Sequence, residues 1–195
     1  MKGVVLCGGQ SSRMGTDKGM LKHHSIIWAQ LAADKLASLQ LPIILSTNQQ
    51  QYSLYQSLLK DMQLVEDNSE LAIAGPLKGI LSVHLHIPRE DLLILACDMP
   101  SMQIEVLRHL LTTCNNRNEE AFVFQNKVKV EPLCGIYTAR GLNKILQLYQ
   151  KGELKRYSML HAISCLRTYF LPVPPQWENC FMNFNTPEDL KGLRF

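Results

Sequence analysis

Residues 92–97 read Leu-Leu-Ile-Leu-Ala-Cys, an unbroken apolar run that stops at Asp98. A strand this uniformly apolar has no solvent face, so it belongs in the middle of a sheet covered by helices on both sides. The rest of the chain supplies such helices. Strand-like runs at 3–7, 42–46 and 63–66 alternate with helix-like runs at 26–39 and 52–62, which predicts an α/β fold of three layers, a mainly parallel, twisted sheet flanked by helices. A further helix is expected over 77–86, entered through Gly75-Pro76 with proline near its first position, and another over 103–113. Beyond a polar connection at 114–120 the pattern is less regular. It reads as paired strands at 121–125 and 128–133, helices at 139–150 and 157–164, and a strand at 168–173. Thr186-Pro187-Glu188-Asp189 has the cap, proline and acidic residues of a helix start. With no repeat, linker or low-complexity tract in 195 residues, a single domain is the simplest division.

In an open parallel sheet, ligands bind beyond the carboxyl ends of the strands, and three groups are expected there. The first follows the opening strand: Gly8-Gly9-Gln10-Ser11-Ser12-Arg13-Met14-Gly15-Thr16-Asp17-Lys18. Paired glycines let a backbone approach a ligand and aim its N–H groups inward, while Arg13 and Lys18 bring positive charge to a polyanion. The loop is neither of the two commoner phosphate loops, because no Gly-Lys-Ser/Thr closes it and no third glycine completes a dinucleotide fingerprint. The second group is Ser46-Thr47-Asn48, at the end of the next strand. The third is Asp98 in Ala96-Cys97-Asp98-Met99-Pro100. A carboxylate leaving a buried strand is costly unless it is paired, caps a helix or holds a metal. A turn or cap before the next helix satisfies that condition, and so does Mg²⁺, which takes one or two carboxylates together with phosphate oxygens and waters.

Composition narrows the classes of function. A formal charge of +3 is too small to imply nucleic-acid or membrane binding and suits a pocket for small anions. A chain of this length buries roughly 70% of the surface it exposes when unfolded and needs no covalent staple. No apolar run approaches the ~20 residues that span a bilayer, and Met1-Lys2 passes directly into a strand without a signal-peptide pattern. The six cysteines, Cys7, Cys97, Cys114, Cys134, Cys165 and Cys180, are scattered and form no Cys-x-x-Cys, so neither zinc nor a local redox pair is indicated. A reducing, cytoplasmic location is expected. His23, His24, His84 and His86 read as surface or packed side chains. Lys151, Lys155 and Arg156 form a basic cluster that is either a solvated face or a seat for a second phosphorylated substrate.

Residues 6–18, with the pattern Leu-x-Gly-Gly-x-Ser-x-Arg-Met-Gly-x-Asp-Lys, resemble the signature of the nucleotidyltransferases related to molybdenum cofactor guanylyltransferase. Three further segments carry the same resemblance: Gly-Pro-Leu-Lys-Gly-Ile at 75–80, Ala-Cys-Asp-Met-Pro at 96–100, and Asn-Phe-Asn-Thr-Pro-Glu-Asp-Leu at 183–190. It is weak over 114–173. The chain departs from the pattern at Cys7, where alanine is usual, and at His23-His24-Ser25, which replaces a glycine-containing turn.

The resemblance implies a Rossmann-like nucleotidyltransferase fold of the nucleotide-diphospho-sugar transferase type. The nucleotide-binding half would span about residues 1–100 and the acceptor half about 101–195. It implies transfer of GMP from GTP to the terminal phosphate of Mo-molybdopterin with release of pyrophosphate, and GTP and Mo-molybdopterin as substrates. Molybdenum-insertion proteins and molybdoenzyme chaperones are the implied protein partners, with no nucleic acid and no membrane. The implied nucleotide-binding residues are Leu6, Cys7, Gly8, Gly9, Lys18, Asn48, Asp67, Gly75 and Asp98. Mg²⁺ would be held by Asp98 and Asn183, with Asn185 an alternative second ligand, and the catalytic residues would be Lys18, Arg13 and Asp98. The attacking phosphate oxygen is already anionic, so no general base is required and catalysis rests on positioning and charge neutralisation. Taken by themselves, Asn48 and Asp67 are equally well read as strand-end turn residues. The fold and Asp98 would also serve a relative that uses CTP or a sugar-phosphate acceptor, or a silent nucleotide-binding subunit.

Overall fold

β1 (Lys2–Leu6) opens the chain with Val4 and Val5 both fully buried, Val5 in the core on one face of the sheet and Val4 in the core on the other. The computed structural model describes residues 1–8, 17–23, 25–115, 117–182 and 184. After a tight helical turn at Lys18–Met20, a two-stranded hairpin of β2 (Lys22–His23) and β3 (Ile26–Ile27) leads into α1 (Trp28–Ala37). Then follow β4 (Ile43–Thr47), α2 (Gln49–Leu58), β5 (Gln63–Glu66), α3 (Pro76–His86) and β6 (Leu92–Ala96). The second half consists of α4 (Ile104–Cys114), β7 (Ala121–Gln125), β8 (Val130–Tyr137), α5 (Ala139–Gln150), α6 (Met159–Ser164) and β9 (Thr168–Pro172), with a final helical turn at Pro175–Phe181.

Among the described residues, seven strands form one sheet in the order β5-β4-β1-β6-β8-β7-β9. Only β8 runs against its neighbours, so the sheet is mainly parallel, as the alternation of runs predicts. Every residue of β6 is buried, which fits its central place and its lack of a polar face. Apolar residues of α1 and α4, with Tyr55 of α2, cover one face; those of α3, α5 and α6 cover the other. Because β1, β4, β5 and β6 are parallel neighbours, their carboxyl ends emerge along one edge. Among the described residues no helix is long and apolar enough to cross a membrane.

The larger differences from expectation fall in α1, in β8 and in α2, which ends at Leu58 rather than at 62. The helix expected from residue 26 begins at Trp28, because Ile26 and Ile27 pair with His23 and Lys22 in the hairpin. β-Branched residues suit that pairing, and the buried stripe of Trp28, Ala29, Ala32, Ala33 and Leu36 starts only after it. α2 begins at Gln49, three residues early, because Asn48 and Gln51 form a capping box that sets its start. β8 continues to Tyr137, past the expected end at 133. Its pairing with β7 shifts register between Val123 and Phe124, and Pro132 sits in that irregular stretch, where the missing N–H costs no ladder bond. The helix start expected at 186–189 lies outside the described residues.

Candidate active site

The carboxyl ends of the parallel strands stay hydrogen-bonded as they leave the sheet. Cys7 N and Gly8 N both donate to Ser46 O, at 2.9 and 3.3 Å, Asp67 N donates to Thr47 O at 2.8 Å, and Cys97 N to Leu6 O at 3.2 Å. These bonds bring Gly8, Asn48 and Asp67 together. A Cβ placed on Gly8 would lie 3.7 Å from Asn48 N and 3.9 Å from Asp67 Oδ2. α3 backs the same corner, since a Cβ on Gly79 would lie 3.5 Å from both Asp67 Oδ1 and Leu6 Cδ2. Asp67 Oδ1 is buried there with no hydrogen-bond partner among the described residues. Burial raises the Asp67 carboxyl above the usual carboxylate range, Glu66 adds to the rise, and Lys78 opposes it. Gly75 precedes α3 at φ +76, a left-handed conformation that glycine adopts without a Cβ penalty.

Asn48 is the N-cap of α2, with Oδ1 accepting from Gln51 N at 3.0 Å. Its side-chain oxygen therefore organises the helix start beside Gly8.

Lys18 and Asp98 meet at the neighbouring end of β6, Nζ to Oδ2, at 3.0 Å, each side chain about one-fifth exposed (21% and 20%). Asp98 does not cap the helix that follows, because α4 starts from Gln103. Its main-chain carbonyl accepts from Phe184 N at 3.3 Å. Phe184 is buried edge-on against Trp28, with ring centroids 6.0 Å apart, so the chain returns to Asp98 after Met182. Asn183 and Asn185 flank Phe184 in sequence; they, Gly9 and Arg13 lie outside the described residues. Below the turn, Lys35 Nζ donates to Pro100 O.

Sequence reasoning missed the groups that hold Lys18 in place. Asp17 Oδ1 accepts from Gly19 N at 3.0 Å and from the Tyr55 hydroxyl at 3.1 Å, while Oδ2 accepts from Gln51 Nε2 at 2.7 Å. Gln51 Nε2 also donates to Cys7 O at 3.1 Å, and Oε1 accepts from Asn48 N at 3.2 Å. Burial raises the Asp17 carboxyl, and its hydrogen bonds to Gly19, Tyr55 and Gln51 oppose that rise. Burial also pushes the Tyr55 hydroxyl up, helped by the nearby Cys7, Cys97 and Asp17. A signal was available: Asn48-x-x-Gln51 has the spacing of a capping box, and Tyr55 follows four residues later on the same helix face.

A cation and a carboxylate at one point of this sheet edge, with a buried acceptor at another, can hold an anionic chain and a base with hydrogen-bond donors. Among the described residues no group of three or more His, Cys, Asp or Glu side chains could hold a metal ion. A single hard carboxylate such as Asp98 suits an ion that takes its other oxygens from phosphates and water. Lys151, Lys155 and Arg156 are exposed after α5, whose last turn is tied to the segment before α3 by a bond from Ala72 N to the Tyr149 hydroxyl at 2.8 Å.

The chain matches the MobA-like NTP transferase domain family over residues 3–164. It is 31% identical over 195 residues to a probable molybdenum cofactor guanylyltransferase of Nostoc sp., covering 98% of this chain and 89% of that protein. With a protein of the same description from Flavobacterium johnsoniae it shares 33% identity over 193 residues, covering 97% and 94%. The crystal structure of molybdopterin-guanine dinucleotide biosynthesis protein A from Archaeoglobus fulgidus has the same fold, with a TM-score of 0.80 at 22% identity, covering 98% of this chain and 95% of that one.

Proposed function

The chain belongs to the MobA-like NTP transferase family, and from that premise we propose that it transfers GMP from GTP to the terminal phosphate of Mo-molybdopterin and releases pyrophosphate. The observation that carries the choice of base is the Asp67 carboxyl, whose Oδ2 faces Gly8 and whose Oδ1, beside Gly79, is buried with no hydrogen-bond partner among the described residues. Guanine presents two adjacent donors, N1–H and the 2-amino group, and a carboxylate accepts from both; cytosine and uracil present no such pair. Ligand binding there gives the orphaned acceptor its hydrogen bond, which a buried polar group needs.

The residues then divide the work. Leu6, Cys7 and Gly8 border the base with Asn48 and Asp67, and Gly75 shapes the start of α3 behind them. Arg13 and the amides of the loop, Gly9 among them, hold the β and γ phosphates. Lys18, within reach of Asp98, stabilises the charge that develops at the α phosphate. Asp98, joined by Asn183, is the seat for Mg²⁺, which when bound neutralises phosphate charge as a Lewis acid. The acceptor phosphate needs no base, so orientation of the two substrates supplies most of the remaining rate. In this reading the first hundred or so residues bind the nucleotide and the rest receives the acceptor, with the Lys151, Lys155 and Arg156 cluster near the acceptor phosphate. The reaction takes place in the cytoplasm, and the product passes to molybdenum-insertion proteins and molybdoenzyme chaperones.

The test begins with the thermal midpoint in Mg²⁺ and each of GTP, CTP, UTP and ATP. Ligand at 100 times its dissociation constant stabilises by about 2.7 kcal/mol. A shift confined to GTP, followed by pyrophosphate release on adding Mo-molybdopterin, is the expected result. A shift confined to CTP, or GTP binding without turnover on that acceptor, would overturn it.

A further inference from the structure

We propose that Gln51 is a positioning residue that fixes Lys18 relative to the base-binding strand end, an assignment that rests on the nucleotidyltransfer reading of this site. The Gln51 side chain is 92% buried, with a relative exposure of 8%, and its carboxamide is fully engaged. One Nε2 hydrogen goes to Cys7 O, the other to Asp17 Oδ2, and Oε1 takes Asn48 N. Three segments of the site therefore meet on one amide: the end of β1, the start of α2, and the loop in which Asp17 precedes Lys18.

Helix capping alone does not explain the residue type. Glutamate serves as well as glutamine at the third position of a capping box. Here two of the three partners are acceptors, a carbonyl and a carboxylate, so the side chain must donate twice and accept once. Among side chains of this length only glutamine does so. Asp17 relays the constraint. Its other oxygen takes Gly19 N and the Tyr55 hydroxyl, bracketing Lys18 from both sides in sequence. The consequence belongs to turnover rather than to affinity, because a cation displaced by about 1 Å from a developing charge costs about 100-fold in rate.

The experiment exchanges the amide and the carboxylate. Gln51→Glu turns the bond to Asp17 into two facing acceptors; Asp17→Asn can turn it into two facing donors. In the double variant Asn at 17 can accept Gly19 N and the Tyr55 hydroxyl on its oxygen and donate to the introduced carboxylate, while the bond to Cys7 O stays lost, so recovery is partial. Pyrophosphate release is followed with GTP and Mo-molybdopterin for all four proteins, with thermal midpoints alongside. The expected result is a fall in kcat of about 100-fold in each single variant with KM for GTP changed less than about threefold, and recovery of at least about tenfold in the double variant. If either single variant fails to fold, the other and the double variant carry the same comparison. A folded single variant with wild-type kcat, or a folded double variant no faster than the slower single one, overturns the role of Gln51. A wild-type protein that releases no pyrophosphate overturns the proposed reaction itself, and the role of Gln51 in it.

Discussion

Gly19 sits so close beneath Tyr55 that a Cβ at position 19 would stand 2.0 Å from the phenolic oxygen and 3.2 Å from Cζ. Tyr55 is fully buried and cannot swing aside. Gly19→Ala is therefore expected to cost about 1–3 kcal/mol, the usual cost of overpacking a filled site. Tyr55→Phe removes the clashing oxygen and, with it, a hydrogen bond to a carboxylate worth about 1.5–3 kcal/mol. In the Tyr55→Phe background Gly19→Ala should then cost less than about 1 kcal/mol, because its worst contact is gone. Denaturant unfolding of the four proteins measures this cycle. Equal costs in the two backgrounds would mean that Gly19 and Tyr55 are not in contact.

On the proposed reaction, Lys18 and Asp98 serve chemistry more than stability. Both are partly exposed, so a double-mutant cycle on unfolding should give no more than about 1 kcal/mol for the pair. Lys18→Ala should lower kcat by about 100- to 1,000-fold, as loss of a group that meets developing charge does, while nucleotide binding falls much less. Asp98→Asn should abolish the part of the GTP-induced thermal shift that depends on Mg²⁺. Equal loss of binding and turnover in Lys18→Ala would remove it from the transition state.

Lys18, Asp98 and the parallel sheet were legible because each is announced locally, by a glycine loop after a strand or by an apolar run that ends on a charge. The groups that support them were not. α2 reads Gln-Gln-Gln-Tyr-Ser-Leu-Tyr-Gln-Ser-Leu, and only Gln51 and Tyr55 of it are buried. A hydrophobic period could not place its start, and the polar Gln51 is inside because its amide is fully bonded. The expected end of β8 at 133 falls short for a related reason: Gly135 looks like a strand breaker, and the shift in register beside β7 has no local signature. Phe184 links the closing segment to Asp98 through one main-chain bond and a ring contact with Trp28, neither of which has a local signature.

Asp67 offers a separable test of base choice. Its buried carboxyl is held above the usual range, so between the ordinary aspartate pKa and the raised one the folded state binds more protons than the unfolded state. Stability from this group therefore falls as pH rises through that window, and the nucleotide-free protein gains nothing from ionising it. Asp67→Asn should leave the free protein at least as stable at neutral pH. It should weaken GTP binding by about tenfold or more, the loss expected when one hydrogen bond to a charged group is removed. The introduced amide can donate to the 2-oxo group of xanthine, so XTP should gain where GTP loses. Thermal shifts with GTP, ITP and XTP read this directly, and an unchanged order among the three would separate Asp67 from the base.

Lys35 gives the fold a pH dependence of opposite sign. Its ammonium is largely buried beneath the turn that carries Asp98, and burial lowers its pKa to about 8, with the nearby Cys180 working in the other direction. Between that value and the ordinary lysine pKa of about 10.4, the unfolded chain still holds a proton that the folded chain has released. Stability from Lys35 accordingly rises with pH across this window. Lys35→Met removes the titration, so the wild-type advantage over the variant should grow by about 1–2 kcal/mol between about pH 7 and about pH 10, after allowance for partial exposure. Comparing the two proteins in a Cys180→Ala background, which removes the thiol that Lys35 itself perturbs, cancels the other groups that titrate there. Parallel profiles would mean that Lys35 reaches solvent freely, and the turn holding Asp98 would then be anchored by its other contacts alone.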